Sequence, residues 1–327
     1  MATPKGTILV TGANGGLGTA IVRAIITESE LAAHYYGLYT VRSVATASSL
    51  RSTMAAAKSH PYDIMDLDLS NLSSIRDVAA TINAKVSAGE IPRIRVLVLN
   101  AAYRHTQGQT RTEDGLDIAF ASNYLGHWLL VLLLLQRMDR ELGRVANKIN
   151  HAFEEEQWKT ILADASSECV ESVAKGTWSP SPDNPAQDPR QLAGIRRYGA
   201  AKLCSVMMIP ELQRRLDLDP DLNKISVLGV DPGMMATKIT TGTNWLSRFI
   251  FFIVTQVAGR ISPNGRIRLP HKSAGDVLSA ALGIDSPMGE HPKGLYLNGA
   301  EPKEINVEAK DPEKRASVWK GETYQVT

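Results

Sequence analysis

Apolar residues come in short bunches, separated by longer stretches in which they recur every three or four positions. The first bunch, Thr7-Ile8-Leu9-Val10, runs into a cluster of glycines. The stretch after it carries Leu17, Ala20, Ile21, Ala24 and Ile25 on one helical face. Residues 36–41, 64–69, 225–230 and 295–297 read as further strands. Val96-Leu97-Val98-Leu99 is apolar throughout, the pattern of a strand covered on both faces. Strands alternating with helices predict an α/β fold of Rossmann type: a doubly wound parallel sheet with helices on both faces, in a single domain over 1–327.

Some stretches break this rhythm. Residues 178–190 hold Pro180, Pro182, Pro185 and Pro189 and read as a surface loop. Residues 301–327 form a polar C-terminal extension. Within it Asp311-Pro312-Glu313 predicts a helix start, a capping side chain followed by proline where no N–H is needed, with Trp319 packing back on the body. Residues 128–135 and 245–258 are strongly apolar, but both fall short of the ~20 residues that cross a bilayer, so no spanning segment is expected. The first reads as a buried helix. The second, inside a substrate-covering segment at 240–270, leaves peripheral membrane contact open.

Composition narrows the function. The 36 Lys+Arg against 34 Asp+Glu leave a formal charge of +2, which removes the electrostatic reason to expect a nucleic-acid partner. Cys169 and Cys204 are too few for a disulfide framework, and residues 1–6 show neither a basic region nor a cleavage pattern. A reducing, cytoplasmic setting is expected.

The candidate chemistry starts at Thr11-Gly12-Ala13-Asn14-Gly15-Gly16-Leu17-Gly18, between the first strand and the first helix. Glycines there permit a tight turn and let backbone approach a pyrophosphate, while the helix N-terminus offers free N–H groups and partial positive charge. The second strand ends Val41-Arg42-Ser43 with no acidic residue to bind ribose hydroxyls, and the fork of Arg42 suits a 2′-phosphate, so NADP(H) is favoured. Tyr198 and Lys202, at i and i+4 in a helical stretch, lie on one face. A free phenol has a pKa of about 10. A neighbouring ammonium favours the phenolate, so Tyr198 could exchange a proton with a substrate oxygen.

Together these features are similar to those of the short-chain dehydrogenases/reductases. Residues 11–18, Asn100-Ala101-Ala102, Asn123-Tyr124-Leu125-Gly126-His127, Tyr198 to Lys202 and Asp231-Pro232-Gly233 stand in that family's order. The chain most resembles the retinol-dehydrogenase-like branch, which includes NADPH-dependent reductases of fungal secondary metabolism. The resemblance implies that Gly12, Asn14, Gly16, Leu17 and Gly18 hold the pyrophosphate, that Asp68 and Leu69 contact adenine, and that Asn100 lines the cofactor pocket. It also implies Tyr198 as general acid/base, Lys202 on the nicotinamide ribose, and Asn123 positioning that lysine through a water. Pro232, Gly233 and Thr237 would lie against the carboxamide. His127 reads as structural, no metal is expected, and a homodimer through the helix near 125–135 is a family expectation that burial within one chain would equally explain.

The chain departs from the family twice. Ala102 replaces the last glycine of Asn-Ala-Gly. The fifth strand should bring a serine to the substrate oxygen, yet Gly143-Arg144-Val145 is followed by Ala146-Asn147-Lys148-Ile149-Asn150, polar for a central strand and without serine. Either an insertion displaces the strand to 160–167, or strand and serine are missing. The spacing leans to the second, and Ser167 is the only serine candidate. The expected function is an NADPH-dependent reductase, or dehydrogenase, of a ketone or alcohol in a hydrophobic small molecule of secondary metabolism. The alternative is a cofactor-binding homologue with impaired catalysis, acting as a pathway partner.

Overall fold

Strand β1 (Gly6–Thr11) lies parallel to β2 (Tyr35–Val41) on one side and to β4 (Ile94–Leu99) on the other. The computed structural model describes residues 4–57, 59–104, 108–149, 160–235, 265, 267–283 and 291–326. Its sheet runs β3-β2-β1-β4-β5-β6-β7-β8, with β3 (Tyr62–Asp66), β5 (Arg144–Lys148), β6 (Ser226–Asp231) and β7 (Tyr296–Asn298) parallel to their neighbours. Only the two-residue β8 (Glu301–Pro302), which the sequence pattern did not suggest, is antiparallel.

The alternation of side chains builds two cores, one on each face. Ile8, Val10, Val96, Val98 and Ala146 point to a layer with helices α1 (Gly16–Thr27) and α3 (Ser48–Met54), the short α2 (Ser29–His34) lying between these two in sequence. Leu9, Leu97, Leu99 and Val145 point the other way, to α4 (Leu72–Ser87) and the helical run that begins with α5 (Ile118–Phe120) and continues as α6 (Gly126–Leu134). This is why β1 and β4 carry consecutive apolar residues, Ile8-Leu9-Val10 and Val96-Leu97-Val98-Leu99: each successive residue is buried, in one layer or the other. Each fully buried Leu, Ile or Val contributes roughly 1.5–3 kcal/mol.

The fifth strand corrects the expectation. It is neither displaced nor missing: Leu99 pairs with Asn147, and Asn147 in turn with Gly229, so the sheet is continuous. Its polar residues fit because Val145, Ala146 and Ile149 supply the buried apolar contacts, while the Asn147 amide donates to the Ser205 carbonyl (3.4 Å). The 160–167 segment is no strand. Ser166 Oγ accepts from Cys169 N and caps α7 (Ser167–Ala174). The third strand ends earlier than expected, leaving Asp68 and Leu69 in the loop beyond it.

Helix α8 (Leu192–Asp217) is the longest among the described residues. Its N-cap, Gln191, is left-handed and makes no cap bond; instead Asp188 accepts from Leu192 N and Ala193 N (2.8 and 2.9 Å). Helix α9 (Pro270–Leu282) packs on α1 and closes the first layer. The extension ends in α10 (Val307–Lys310) and α11 (Pro312–Val326). As expected, Asp311 caps α11, and Trp319 meets Trp128 edge-on at 5.4 Å. Arg215 lies over the Trp319 ring, 4.3 Å from its centre.

Residues Ile118–Arg137 are long and apolar enough to cross a membrane by length and composition, yet 83% of that window is buried inside the protein. Burial within one chain therefore accounts for the apolar 125–135 stretch without a second subunit. The proposed covering segment, 240–270, falls mostly outside the described residues.

Candidate active site

At the C-terminal ends of β1, β2 and β4 a crevice of about 560 Å³ opens above the glycine turn. Its floor is the turn itself. Gly12 has φ +64, and a Cβ there would lie 2.8 Å from the Ala101 Cα; a Cβ on Gly18 would lie 2.2 Å from the Gly12 carbonyl oxygen. Only glycine lets these backbones approach so closely. No side chain caps α1 at Gly15, so the first-turn N–H groups face the crevice as an anion cradle. These features fit a dinucleotide pyrophosphate.

Thr11 and Asn100 lock the turn to β4. The Thr11 hydroxyl accepts from Asn100 N and Ala101 N (2.9 and 3.0 Å), and the Asn100 amide donates to the Thr11 and Gly12 carbonyls (2.9 and 3.2 Å). His127 Nε2 meets Thr11 Oγ1 at 3.0 Å. Burial first, then Lys202, pushes the His127 pKa down to about 3, so its ring is neutral. Asn14 accepts from Leu50 N and ties the turn to α3.

The far end of the crevice follows β2 and β3. Arg42 is exposed at its mouth, 4.9 Å over the Tyr103 ring, with Ser43, Thr46 and Ser49 beside it. Asp68 and Leu69 also line it, the Asp68 carboxylate accepting from Ser70 N and Oγ. The crevice thus gathers Gly12, Asn14, Gly16, Leu17, Gly18, Arg42, Asp68, Leu69 and Asn100, along with Ala102 at the departed glycine position.

The proton-transfer residues lie deeper. Arg197, paired with Asp117 at 2.9 Å with both side chains buried, anchors the start of α8 and so fixes Tyr198. Tyr198 and Lys202 are both buried, the Lys202 ammonium 5.8 Å from the Tyr198 ring centre. Neither lines the crevice as the described residues bound it. Burial, then the charge of Lys148, pushes the Lys202 pKa down to about 7.

Asn123 sits in a π-turn, Ala121–Leu125, an irregularity that often marks functional sites. Its side chain holds the loop after β4, accepting from Tyr103 N (3.0 Å) and donating to the Tyr103 carbonyl (2.7 Å). Its own carbonyl accepts from Ser205 Oγ. Ser167 is exposed in the first turn of α7 and does not join the crevice. Pro232 and Gly233 follow β6, where Gly233 N donates to Asp231 and the Pro232 carbonyl accepts from Ser273; neither lines the crevice, whereas Met235 does. Thr237 lies outside the described residues.

Sequence reading missed Lys148 and Ser122, which line the inner end of the crevice. Lys148 was visible as a charge ending a central strand. Burial alone pushes its pKa down to about 8. Ser122 gave no signal beyond adjacency to Asn123.

Fold and crevice define a Rossmann-type dinucleotide-binding protein. The chain belongs to the short-chain dehydrogenase/reductase family of nicotinamide-dependent oxidoreductases: the short chain dehydrogenase profile matches residues 6–175. It is 39% identical to the short-chain dehydrogenase iccH of Talaromyces variabilis, over 96% of this chain and 94% of that one. It is 25% identical to the protochlorophyllide reductase of Avena sativa, over 95% and 96%. Among solved structures, the NADPH-bound carbonyl reductase from chicken fatty liver superposes with a TM-score of 0.59 at 16% identity, covering 93% of this chain and 96% of its own. A short-chain dehydrogenase/reductase from Serratia marcescens gives 0.58 at 17%, covering 92% and 99%. These likenesses show the fold.

Proposed function

We propose that the chain is an NADP(H)-dependent reductase, or dehydrogenase, acting on a ketone or alcohol of a hydrophobic small molecule in secondary metabolism. The observation that carries the cofactor choice is Arg42 at the mouth of the crevice beside Ser43, Thr46 and Ser49, with no carboxylate at the end of β2. A guanidinium and three hydroxyls suit a 2′-phosphate. The NADPH in the chicken reductase and the fungal origin of iccH support the same reading. The two free cysteines suit a reducing cytoplasm.

When bound, the nicotinamide supplies or accepts the hydride. The chain's own residues do the rest. The glycine turn and the first turn of α1 hold the pyrophosphate, while Asp68, Leu69 and Asn100 shape the walls. Pro232, Gly233 and Thr237 are assigned to the carboxamide end. Tyr198 gives its proton to the substrate oxygen during reduction, and Lys202 favours the phenolate left behind. Asn123 positions Lys202 through its carbonyl and a water. The test is NADPH oxidation with aromatic and polyketide-like ketones. Turnover that needs Tyr198 supports the assignment; a Tyr198→Phe variant as fast as the parent overturns it.

A second reading has its own observation: β5 ends in Asn147-Lys148 where the family has a serine, and Ser167 stands away on α7. A homologue that binds NADPH but turns over no ketone would then serve its pathway as a partner.

A further inference from the structure

Lys148, at the end of β5, lines the same crevice as Ser122. The Ser122 hydroxyl is buried and lacks a hydrogen-bond partner. A buried hydroxyl without a partner costs roughly as much as a lost hydrogen bond, so it is unfavourable unless a ligand satisfies it. Lys148 raises the same question with charge. Lys202 is close enough to feel it, and no described carboxylate offsets either ammonium. Among the described residues the one carboxylate lining the crevice, Asp68, belongs to the loop after β3 and is engaged by Ser70. A half-buried amine and an unpartnered hydroxyl lining one space, with the buried Lys202 ammonium behind them, form a receptor for negative charge.

Position separates this receptor from the pyrophosphate cradle. The glycine turn follows β1, whereas Lys148 ends β5, two strands across the sheet. At about 4.8 Å per strand spacing, that puts it roughly 10 Å to the side of the glycine turn. We propose that Ser122 and Lys148 form a binding site for an anionic oxygen of the substrate, a carboxylate or an enolate, and so select acidic carbonyl compounds over neutral ones. The site stands where the family's serine is lacking. It rests on the reductase reading for its biological meaning.

The experiment titrates the full-length protein, saturated with NADP+, with 4-acetylbenzoate and with its methyl ester, by calorimetry. The parent should bind the acid at least about 10-fold more tightly than the ester, the range a charge-assisted hydrogen bond supplies. Lys148→Met should erase that preference, Ser122→Ala should weaken it, and Lys148→Arg should retain it. Each variant is titrated at NADP+ concentrations that saturate it, so the ratio of acid to ester affinity is read on the loaded protein. Equal binding of acid and ester by the parent, binding of neither, or a preference intact in Lys148→Met would each overturn the proposal. Should Lys148→Met fail to fold, Ser122→Ala and Lys148→Arg decide. Failure of the reductase reading is seen separately, as absence of NADP+ binding, because the acid and ester titrations also run without cofactor.

Discussion

The Lys202 ammonium lies 5.8 Å from the centre of the Tyr198 ring, one helical turn along α8, with both side chains buried. That spacing is close enough for the charge to favour a phenolate, and burial strengthens the effect by lowering the local dielectric. If the phenol is the proton donor, Tyr198→Phe should lower kcat by about 100-fold or more. NADPH affinity, measured by quenching of tryptophan fluorescence, should hardly change. A variant that loses both together would place Tyr198 in binding.

Arg42 tests the cofactor choice. Its guanidinium is exposed and pairs with no described carboxylate, so removing the charge should leave the fold intact. Arg42→Leu should raise the KM for NADPH by roughly 10–100-fold, the worth of a charge-assisted contact, and leave the KM for NADH nearly unchanged. Steady-state kinetics with both cofactors reads the ratio directly.

The alternation of strands and helices was legible because β1, β4 and β6 are buried on both faces, which leaves short apolar runs that polar loops interrupt. The glycine turn was legible for a similar reason: close backbone contact between Gly12, Gly18 and Ala101 permits no side chain. Strand β5 was obscured because its last residues do another task. Asn147 bonds Ser205 and Lys148 enters the crevice, so neither obeys the apolar pattern of a central strand. β8 is too short for any pattern. Ser167 was a candidate by residue type alone; only the fold shows that Ser166 and Ser167 start a helix.

Lys148 and Lys202 set a direction for stability against pH. Their folded pKa values are pushed down to about 8 and about 7 by burial, while in the unfolded chain both keep protons until about 10.4. Below pH 7 both states carry the protons, and the cost of burying charge is present in full. Between pH 7 and 9 the unfolded chain holds more protons, so stability should rise with pH. Tyr36, pushed up to about 12 by burial first, opposes the trend only above pH 10, where the unfolded phenol ionises before the folded one. Urea midpoints at pH 7, 8 and 9 should climb in the parent and flatten in a Lys148→Met/Lys202→Met variant.

The terminal helix reports on the body through Trp319, which sits between Trp128 and Arg215. Nearby, the buried Glu308 accepts from Ile161 N and Leu162 N, clamping the extension to the chain before α7. Trp319→Ala removes a half-buried ring and should cost about 1–3 kcal/mol in urea unfolding. Because the ring does not line the crevice, NADPH affinity should be kept. A loss of affinity matching the loss of stability would show the extension to be coupled to the site.

Gly18 gives the sharpest test of the cradle. An ideal Cβ there would meet the Gly12 carbonyl oxygen at 2.2 Å and the Ala13 Cα at 2.8 Å, both backbone atoms that cannot rotate aside. Gly18→Ala must therefore push α1 away from the turn and spoil the aim of its first N–H groups. NADPH binding should weaken by about 100-fold, and stability should fall by about 1–3 kcal/mol. Gly275, inside α9, is the control: a Cβ there meets nothing within 4 Å. Gly275→Ala should leave NADPH affinity unchanged and add about 0.5–1 kcal/mol, since alanine loses less backbone freedom in a helix. If Gly18→Ala binds NADPH as well as Gly275→Ala does, the pyrophosphate is not held on the glycine turn.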